Sequence, residues 1–353
     1  MSGARTDIRG STMWQRSSRG PYVEILLFTL SSLLLYHTGI GFLVFLVPLQ
    51  VLASRRGVRA LALAEAAFFV VFLAIRFWPA VFLGGHPLPD LVASSEIGIA
   101  GVCLIGMLVV NLPLRRRPRT RVLLLAASGI GGAILVPLGL VVARLPEFQL
   151  AMDQLFGEVS RMLSTVFAPG PDGSSSAFFA QMVQPARLRS MAEATLLRSF
   201  LADYLVLLSF SWWAGQAGGR RRLVYGAAPD GFRLSRFRLE SGWLWPLIAA
   251  GAVVLADMFL NISARGLSVL AYAGWNLGLA LLFLFGLQGM AIVMFLFEKY
   301  RLPRILWFLL VVGIVVLAAS PGAGVFVVLI IPVLGISENW IRFRIPRDTA
   351  PTE

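Results

Sequence analysis

Residues 243–304 carry the sequence WLWPLIAAGAVVLADMFLNISARGLSVLAYAGWNLGLALLFLFGLQGMAIVMFLFEKYRLPR. Two apolar runs within it, about 243–261 and 267–297, are each long enough to cross a bilayer, for which roughly 18 to 20 residues suffice. The turn between them holds a single arginine, Arg265, whereas basic clusters flank the whole stretch on both sides. This arrangement predicts two membrane-spanning helices that leave one side of the membrane and return to it.

The composition of the whole chain extends this reading to a polytopic membrane protein. Of its 353 residues 58% are hydrophobic and 14% charged, which excludes an ordinary soluble domain. Of the 31 Lys and Arg, 24 fall into six short clusters: Arg5–Arg19, Arg55–Arg59, Arg115–Arg121, Arg220–Arg238, Lys299–Arg304 and Arg342–Arg347. Loops rich in Lys and Arg stay in the cytoplasm. The net charge of +13 therefore reflects topology and contact with anionic headgroups of the lipid bilayer, and we expect no nucleic-acid partner.

The basic clusters set the number of crossings. Six ordinary spans alternate in direction, at about 58–83, 91–112, 122–143, 197–217, 243–261 and 267–297. The runs 22–53 and 305–337 have basic residues at both ends and a Gly-containing break at the centre, so each predicts a hairpin of two short helices. The predicted fold class is an all-α polytopic transmembrane bundle of about 8–10 segments, including two short helical hairpins. The lower count applies if a hairpin is one long tilted helix.

This topology divides the chain into five segments of a multi-pass protein of the bacterial cytoplasmic (inner) membrane, with both termini cytoplasmic. They are a basic tail (1–21), N-terminal transmembrane helices (22–143), an external segment (144–196), C-terminal transmembrane helices (197–337) and a second cytoplasmic tail (338–353). The first apolar run lacks a small-residue cleavage site, so we expect an uncleaved helix.

The external segment carries its own helical signal. Apolar residues recur at three- and four-residue steps over 145–167, with charged residues between them, which predicts an amphipathic helix. A Pro-, Gly- and Ser-rich linker follows at 168–176. The helix either rests on the outer membrane interface or forms a lid over an outward-facing cavity.

Polar residues inside predicted spans are candidate ligand-binding residues, because ionisable groups there cost roughly 2.5–3.5 kcal/mol on insertion scales. Asp203, Asp257, Asn261 and Asn276 all fall in the predicted outer half of the bilayer. We predict that they line one outward-facing cavity capped by the 145–167 helix. Its carboxylates would suit a cationic or hydrogen-bond-donating small molecule. In the alternative, each group faces a separate interface and only satisfies neighbouring backbone.

Three further intramembrane charges have other expected roles. Arg76 and Glu96 flank a short turn almost symmetrically, which predicts a structural charge pair at equal depth in the outer leaflet. Glu65 lies among alanines nearer the cytoplasm, where it can face a closely packed neighbouring helix.

Motifs for catalysis are missing from the sequence. It contains no nucleotide-binding loop, no paired-histidine metal motif and no nucleophile elbow, and its two histidines, His37 and His86, are isolated. Its one cysteine, Cys103, lies in an apolar run. We expect no enzyme activity, no catalytic residue, no metal and no cofactor. The glycines of Ser128-Gly-Ile-Gly-Gly predict a close helix–helix contact instead of a phosphate loop.

A set of motifs spans about 110 residues of the C-terminal third: Phe237-Arg-Leu, Trp243, Trp245, Asn276, Gly286-Leu-Gln-Gly-Met-Ala-Ile-Val, Leu302-Pro, Leu334-Gly-Ile, Trp340 and Arg344. In these residues the chain resembles the YybS-like family of bacterial integral membrane proteins of unknown function. It departs from the family pattern at Glu240, where a proline is expected, and at Glu338, where the acidic residue is displaced. That family is distantly similar to the substrate-binding membrane subunits of energy-coupling-factor transporters, whose fold a cell-shape protein shares.

The resemblance implies two functions. The first is a small-molecule-binding transporter subunit that lacks its own ATPase and depends on a separate energising ATPase module. The alternative is a non-transporting membrane scaffold of cell-envelope or cell-shape machinery, with an envelope protein as its partner. Because a fold does not fix a function, both remain open at this point.

Overall fold

The computed structural model describes residues 20–38, 40–82, 89–112, 118–142, 146–166, 183–220, 234–319, 323–341 and 343–344. All regular structure in these ranges is helical, which confirms the predicted all-α bundle. The α-helices are α1 (Pro21–His37), α2 (Leu46–Arg56), α3 (Val58–Phe82), α4 (Pro89–Asn111), α5 (Pro118–Val142), α6 (Pro146–Val166), α7 (Pro185–Arg220), α8 (Leu244–Leu260), α9 (Ser268–Lys299), α10 (Arg304–Ala319) and α11 (Ala323–Ser337).

Five helical segments in the described part of the chain are long and apolar enough to cross a membrane. They are Val58–Trp78, Val122–Gly139, Pro185–Gly219, Ser241–Leu260 and Ser263–Lys299. Two shorter apolar helices, Tyr22–His37 and Ile97–Asn111, accompany them. The chain is therefore a multi-pass membrane protein whose apolar helices contact the lipid bilayer.

The first predicted hairpin is formed by α1 and α2. A short 3₁₀ turn, Ile40–Leu43, joins the two helices, and Arg56 Nε donates a 2.9 Å hydrogen bond to Glu24 Oε2 across their open ends. With 11 residues, α2 extends only about 16 Å, roughly half the hydrocarbon thickness. It is shielded by protein instead, because its side chains from Leu46 to Ala53 are largely buried.

The second hairpin is formed by α10 and α11. The latter crosses α9 at two glycines, Gly289 and Gly335, where the backbones approach closely. A Cβ atom on Gly335 would lie under 3.0 Å from the carbonyl oxygen of Phe285. Small residues of this kind drive helix association in membranes, where apolar burial gives no gain over lipid.

An aromatic and aliphatic core holds the N-terminal helices together. Tyr36 packs edge-on against Phe45 and Phe72, with ring centroids 5.2 and 5.0 Å apart. The long helix α7 closes this core through glycine contacts. Gly215 lies against Gln50 of α2, and Gly132 of the Ser128-Gly-Ile-Gly-Gly sequence lies against Phe200, as predicted for a close-packing face.

Helix α7 begins at Pro185, twelve residues before the predicted boundary. Its 36 residues extend about 54 Å, so it projects well beyond a bilayer core of roughly 30 Å. The predicted amphipathic helix is α6, which contacts this extension through a 3.1 Å ion pair between Asp153 and Arg189. The apolar side chains of Leu155 and Met162 stay exposed, which favours a helix resting on the membrane interface over a lid.

The contacts between helices assign their ends to two sides of the bundle. Arg56 bonds Glu24, Ser54 of α2 lies against Gly219 of α7, and Leu239 bonds Gln288 of α9. The first two contacts place the C-terminal ends of α2 and α7 on one side. Asn276, near the start of α9, bonds the backbone of Leu197 and Leu201 toward the other end of α7, and the rest of α9 leads away from that end. The C-terminal half of α9, with Gln288 and the start of α8, therefore lies on the same side as the C-terminal ends of α2 and α7. We call this side the basic end, and the opposite side the far end.

Candidate functional site

The far-end cluster lies where α7, α8 and α9 meet and centres on the carboxylate of Asp257. Trp275 Nε1 donates a 2.9 Å hydrogen bond to Oδ2, and the backbone N–H of Ser263 donates a 3.1 Å bond to Oδ1. Arg198 Nη2 lies 3.9 Å from Oδ2, and its guanidinium carbon lies 5.1 Å from the centroid of the Trp275 ring. The cluster therefore combines a buried carboxylate with a guanidinium that is stacked on an aromatic face.

Asn261 belongs to the same cluster but plays a different part. It ends α8 in a left-handed conformation, with φ of 49°, which Asn tolerates better than most residues. Its Oδ1 accepts a 3.3 Å hydrogen bond from Ser263 Oγ, and the residue is exposed. Asp257 and Asn261 are thus linked through Ser263, on the turn that leads into α9.

Asn276 is buried and joins α9 to α7 through backbone groups. Its Nδ2 donates to the carbonyl of Leu197, and its Oδ1 accepts a 3.0 Å bond from the N–H of Leu201. The carbonyl of Leu197 and the N–H of Leu201 are four residues apart, which is the spacing of a hydrogen bond in a regular α-helix. Nδ2 also donates to the carbonyl of Tyr272 in its own helix at 3.1 Å, so the carboxamide nitrogen and oxygen are both hydrogen-bonded.

Asp203 lies apart from the other three predicted residues. It is exposed on α7 and accepts a 2.6 Å hydrogen bond from Ser199 of its own helix, while its neighbour Tyr204 is buried. Among the described residues no hydrogen bond joins Asp203 to Asp257, Asn261 or Asn276. Three of the four predicted residues therefore meet at one junction. Their contacts favour the structural alternative for Asn276, and a ligand-binding role for the set stays a prediction.

The Arg76–Glu96 pair also stays a prediction, because the side chain of Glu96 lies outside the described residues. Arg76 packs over the ring of Phe72, with 5.6 Å from the guanidinium carbon to the centroid. Gly101 of α4 lies opposite Phe69 of α3. Between antiparallel helices this register puts positions 76 and 96 at nearly equal depth.

Buried polar groups also occur inside the N-terminal helices. Gln50 and Asn111 exchange two hydrogen bonds between their side-chain amides, at 3.1 and 2.6 Å, and so join α2 to α4. Glu65 is 7% exposed, and its Oε1 has no hydrogen-bond partner among the described residues. In the described part of the chain, no group of three or more His, Cys, Asp or Glu side chains could hold a metal ion.

A second polar cluster, at the basic end, was not predicted as a site. Arg344 binds both carboxylate oxygens of Glu338, through Nε at 2.6 Å and through Nη2. Gln288 Nε2 donates to Glu338 Oε2 at 2.9 Å and to the Gly335 carbonyl at 3.0 Å. We call Gln288, Glu338 and Arg344 the clamp.

The clamp holds the segment 234–240, which precedes α8 and consists of a 3₁₀ turn (Leu234–Arg236) followed by four residues without regular structure. Arg344 Nη1 donates to the carbonyls of Ser235 and Phe237, at 2.9 and 2.8 Å, and the N–H of Leu239 donates to Gln288 Oε1 at 2.9 Å. The motif residues Phe237-Arg-Leu, Gln288 and Arg344 thus meet in space although they are up to 107 positions apart. In the sequence these residues were grouped as carriers of one family resemblance, and that grouping was the available signal for this contact.

Arg198 stands out in the sequence by its isolation from other cations. Arg198 is one of the few cations outside the six basic clusters, and it lies next to a predicted helix start. An arginine at the edge of a span needs a partner or an interface. Only the fold identifies that partner, because Asp257 and Trp275 come from two other helices.

Comparison with known proteins supports the membrane assignment. Residues 220–336 match a family described as "Predicted membrane protein (DUF2232)". No curated protein and no solved structure shows significant similarity to the chain. The matched region contains α8, α9 and most of α11, and with them Asp257, Asn276 and Gln288. The match and the apolar helices together identify the chain as a multi-pass membrane protein.

Proposed function

We propose that the chain is a small-molecule-binding subunit of a transporter, without an ATPase or a catalytic role of its own. The observation that carries this proposal is the far-end cluster, where polar groups from three helices meet. Arg198 is half-exposed there, and Asn261 is exposed on the adjoining turn. Polar groups that converge from several helices and remain accessible are typical of ligand sites in membrane proteins.

The basic end supports the dependence on a separate energising module. The clamp fixes segment 234–240 against α9 and α11, so that the exposed side chains of Arg238 and Glu240 are presented from a rigid backbone. A rigid surface loses little conformational entropy when a partner binds. The resemblance to substrate-binding subunits of energy-coupling-factor transporters points to an ATPase as that partner.

The second candidate function is a scaffold of cell-envelope or cell-shape machinery. It is favoured by the burial of the glycine faces, because Gly215 and Gly219 of α7 are already covered by α2, and Gly335 by α9. These small-residue faces are therefore not free for docking another membrane subunit. A scaffold needs only the basic end, and the far-end cluster would then serve stability alone.

Variants at the two ends discriminate between these functions. The protein is purified in a mild maltoside detergent from its native host, and mass spectrometry identifies co-purifying small molecules and proteins. The transporter proposal expects Arg198→Gln to lose a small molecule while keeping the protein partner. The scaffold proposal expects Arg344→Gln to lose a protein partner while Arg198→Gln has no effect. Absence of any co-purifying small molecule from the wild type would overturn the transporter proposal.

The proposed location is the bacterial inner membrane, with the basic end and both termini in the cytoplasm. Single cysteines test this orientation in intact cells, after the native Cys103 is replaced by serine. Arg301→Cys marks the basic end and Arg265→Cys the far end, and both positions are exposed. A membrane-impermeant maleimide is expected to label position 265 alone. Labelling of position 301 alone would invert the topology.

A further inference from the structure

The guanidinium of Arg198 is oriented by two groups yet keeps its hydrogen-bond donors. The ring of Trp275 lies beneath it, and Asp257 provides the opposite charge at 3.9 Å, which is too long for a hydrogen bond. No hydrogen bond joins it to any described residue, and its side chain is 50% exposed. A guanidinium has five N–H donors in a fixed fork. Those donors are therefore available to an acceptor that approaches from outside.

The negative charge of the cluster, on the Asp257 carboxylate, is buried. The Asp257 side chain is only 4% exposed, and its oxygens accept hydrogen bonds from Trp275 and Ser263. A carboxylate that is enclosed in this way cannot reach a bound cation. Its effect is to hold the Trp275 ring and the Arg198 guanidinium in place, so the accessible charge of the cluster is positive.

The turn after α8 adds further donors. Asn261 uses its Oδ1 in a hydrogen bond from Ser263 Oγ, while its side-chain N–H groups donate to no described residue. Arg265 is exposed four positions later. Together with Arg198, these groups offer hydrogen-bond donors and positive charge.

The position of Arg198 suits a charged ligand. It lies 22 residues before Arg220 on α7, or about 33 Å along the helix axis from the basic end. A hydrocarbon core of roughly 30 Å puts the guanidinium at the opposite edge of the bilayer. Phosphate groups of lipids and soluble anions can both reach this depth.

We propose that Arg198, supported by Asn261 and Arg265, binds an oxyanion at the far end, either the phosphate of a lipid headgroup or a soluble phosphate. The proposal rests on the proposed function, because it assigns a ligand class to the same cluster. It reverses the ligand charge expected from the sequence, where the carboxylates indicated a cation. Arginine forks bind phosphate oxygens in pairs, which gives both affinity and orientation.

The test uses the full chain in maltoside micelles, which contain no phosphate. In the first arm, inorganic phosphate is titrated at constant ionic strength against chloride while the melting temperature is followed, since a ligand of the folded state raises it. In the second arm, native mass spectrometry compares retention of phosphatidylglycerol with that of a glycolipid that lacks phosphate. The variants are Arg198→Gln, Arg198→Lys and Arg187→Gln, the last replacing an exposed arginine on the same helix.

A soluble ligand predicts stabilisation by phosphate in the first arm, and a lipid ligand predicts selective retention of phosphatidylglycerol in the second. In either case Arg198→Gln weakens binding at least tenfold, Arg198→Lys keeps part of it and Arg187→Gln keeps all of it. If Arg198→Gln does not fold, Arg198→Lys decides, since lysine retains the charge but not the paired donors. Wild-type binding in neither arm, or equal binding by all variants, overturns the proposal.

The proposed function can survive that failure. If a neutral or cationic small molecule co-purifies with the wild type and is lost from the Arg198→Gln protein, the transporter proposal stands and the oxyanion assignment falls. If nothing co-purifies and neither arm responds, both fall.

Discussion

The two ends of the bundle each contain an arginine–carboxylate pair, but the pairs differ in how completely they are enclosed. In the clamp, Arg344 is 12% exposed and binds Glu338 through two nitrogens. At the far end, Arg198 is 50% exposed and approaches Asp257 only to 3.9 Å. The same two residue types can therefore form a closed ion pair or leave hydrogen-bond donors available, depending on which other groups satisfy the carboxylate.

The difference follows from the hydrogen bonds around each carboxylate. Glu338 accepts hydrogen bonds from Arg344 and Gln288, which come from separate segments. Arg344 is therefore needed to satisfy both oxygens of the carboxylate. Asp257 is already satisfied by Trp275 and by a backbone N–H. Its arginine is therefore held more loosely, and the two ends should respond differently to mutation.

The largest expected effect comes from breaking the clamp. Glu338→Ala or Arg344→Ala leaves one buried charge without its partner, which costs about 3–5 kcal/mol in buried pairs. We expect the double variant to lose less than the sum of the two single losses. The free energy of unfolding is measured by SDS titration with tryptophan fluorescence.

Proteolysis of segment 234–240 provides an independent test of whether the clamp is disrupted. Release of the segment should accelerate tryptic cleavage after Arg238, which is exposed but held by its neighbours' backbone bonds. Glu240→Ala on the same segment is the control, because that side chain is exposed. If the clamp variants have the same free energy of unfolding and the same rate of tryptic cleavage as the Glu240→Ala control, the Glu338–Arg344 pair does not hold this segment in place.

A smaller loss is expected from Gly335→Ala, where the added methyl group meets the backbone of α9. The crossing helices must separate, and overpacking of this kind costs about 1–3 kcal/mol. Gly251→Ala is the matched control in α8, because a Cβ there meets nothing within 4 Å. Alanine is the better helix former, so the control should be neutral or stabilising. Equal changes in stability from the two substitutions would show that α9 and α11 pack less closely at Gly335 than the structure shows.

At the far end, Asp257→Asn and Asp203→Asn make the same chemical change in two environments. The buried carboxylate loses a charge and part of its hydrogen bonding, for which about 1–2 kcal/mol is expected. Among the described residues, the exposed Asp203 bonds only Ser199 of its own helix, so its substitution should change stability little. SDS titrations of the two proteins give the comparison directly. A larger effect at Asp203 would revive its predicted place in an outward-facing cavity.

The arginine clusters and apolar runs were sufficient to predict the architecture. Charge clustering and span length are local properties of the sequence, so the positions of α3, α4, α5, α8 and α9 could be predicted within a few residues. The start of α7 was missed because Pro185 to Leu196 contains three charged residues and does not continue the apolar run. That composition indicates exposure to water, and it does not exclude a helix that continues out of the membrane.

The candidate sites were less predictable because they depend on which helix faces which. Depth along each helix suggested one cavity for Asp203, Asp257, Asn261 and Asn276, but depth carries no information on rotation about the helix axis. Asp203 is exposed, while the carboxamide of Asn276 is hydrogen-bonded to the backbone of α7. Arg198 and Arg344 acquire their roles only through partners that are remote in sequence.

The smallest effect is expected at the open ends of the first hairpin, where Glu24 and Arg56 form a pair near the surface. The hydrogen bond and charge of Glu24 raise the pKa of Arg56. A raised pKa of a base contributes stability wherever the base is protonated, so this contribution should be constant around neutral pH. Surface pairs contribute under about 1 kcal/mol and are screened by salt. Glu24→Gln should therefore lose little stability in SDS titrations at low salt and still less at high salt, whereas the Glu338→Ala loss should persist at both. A Glu24→Gln loss that matched the clamp variants and resisted salt would mean that enclosure does not decide the strength of these pairs.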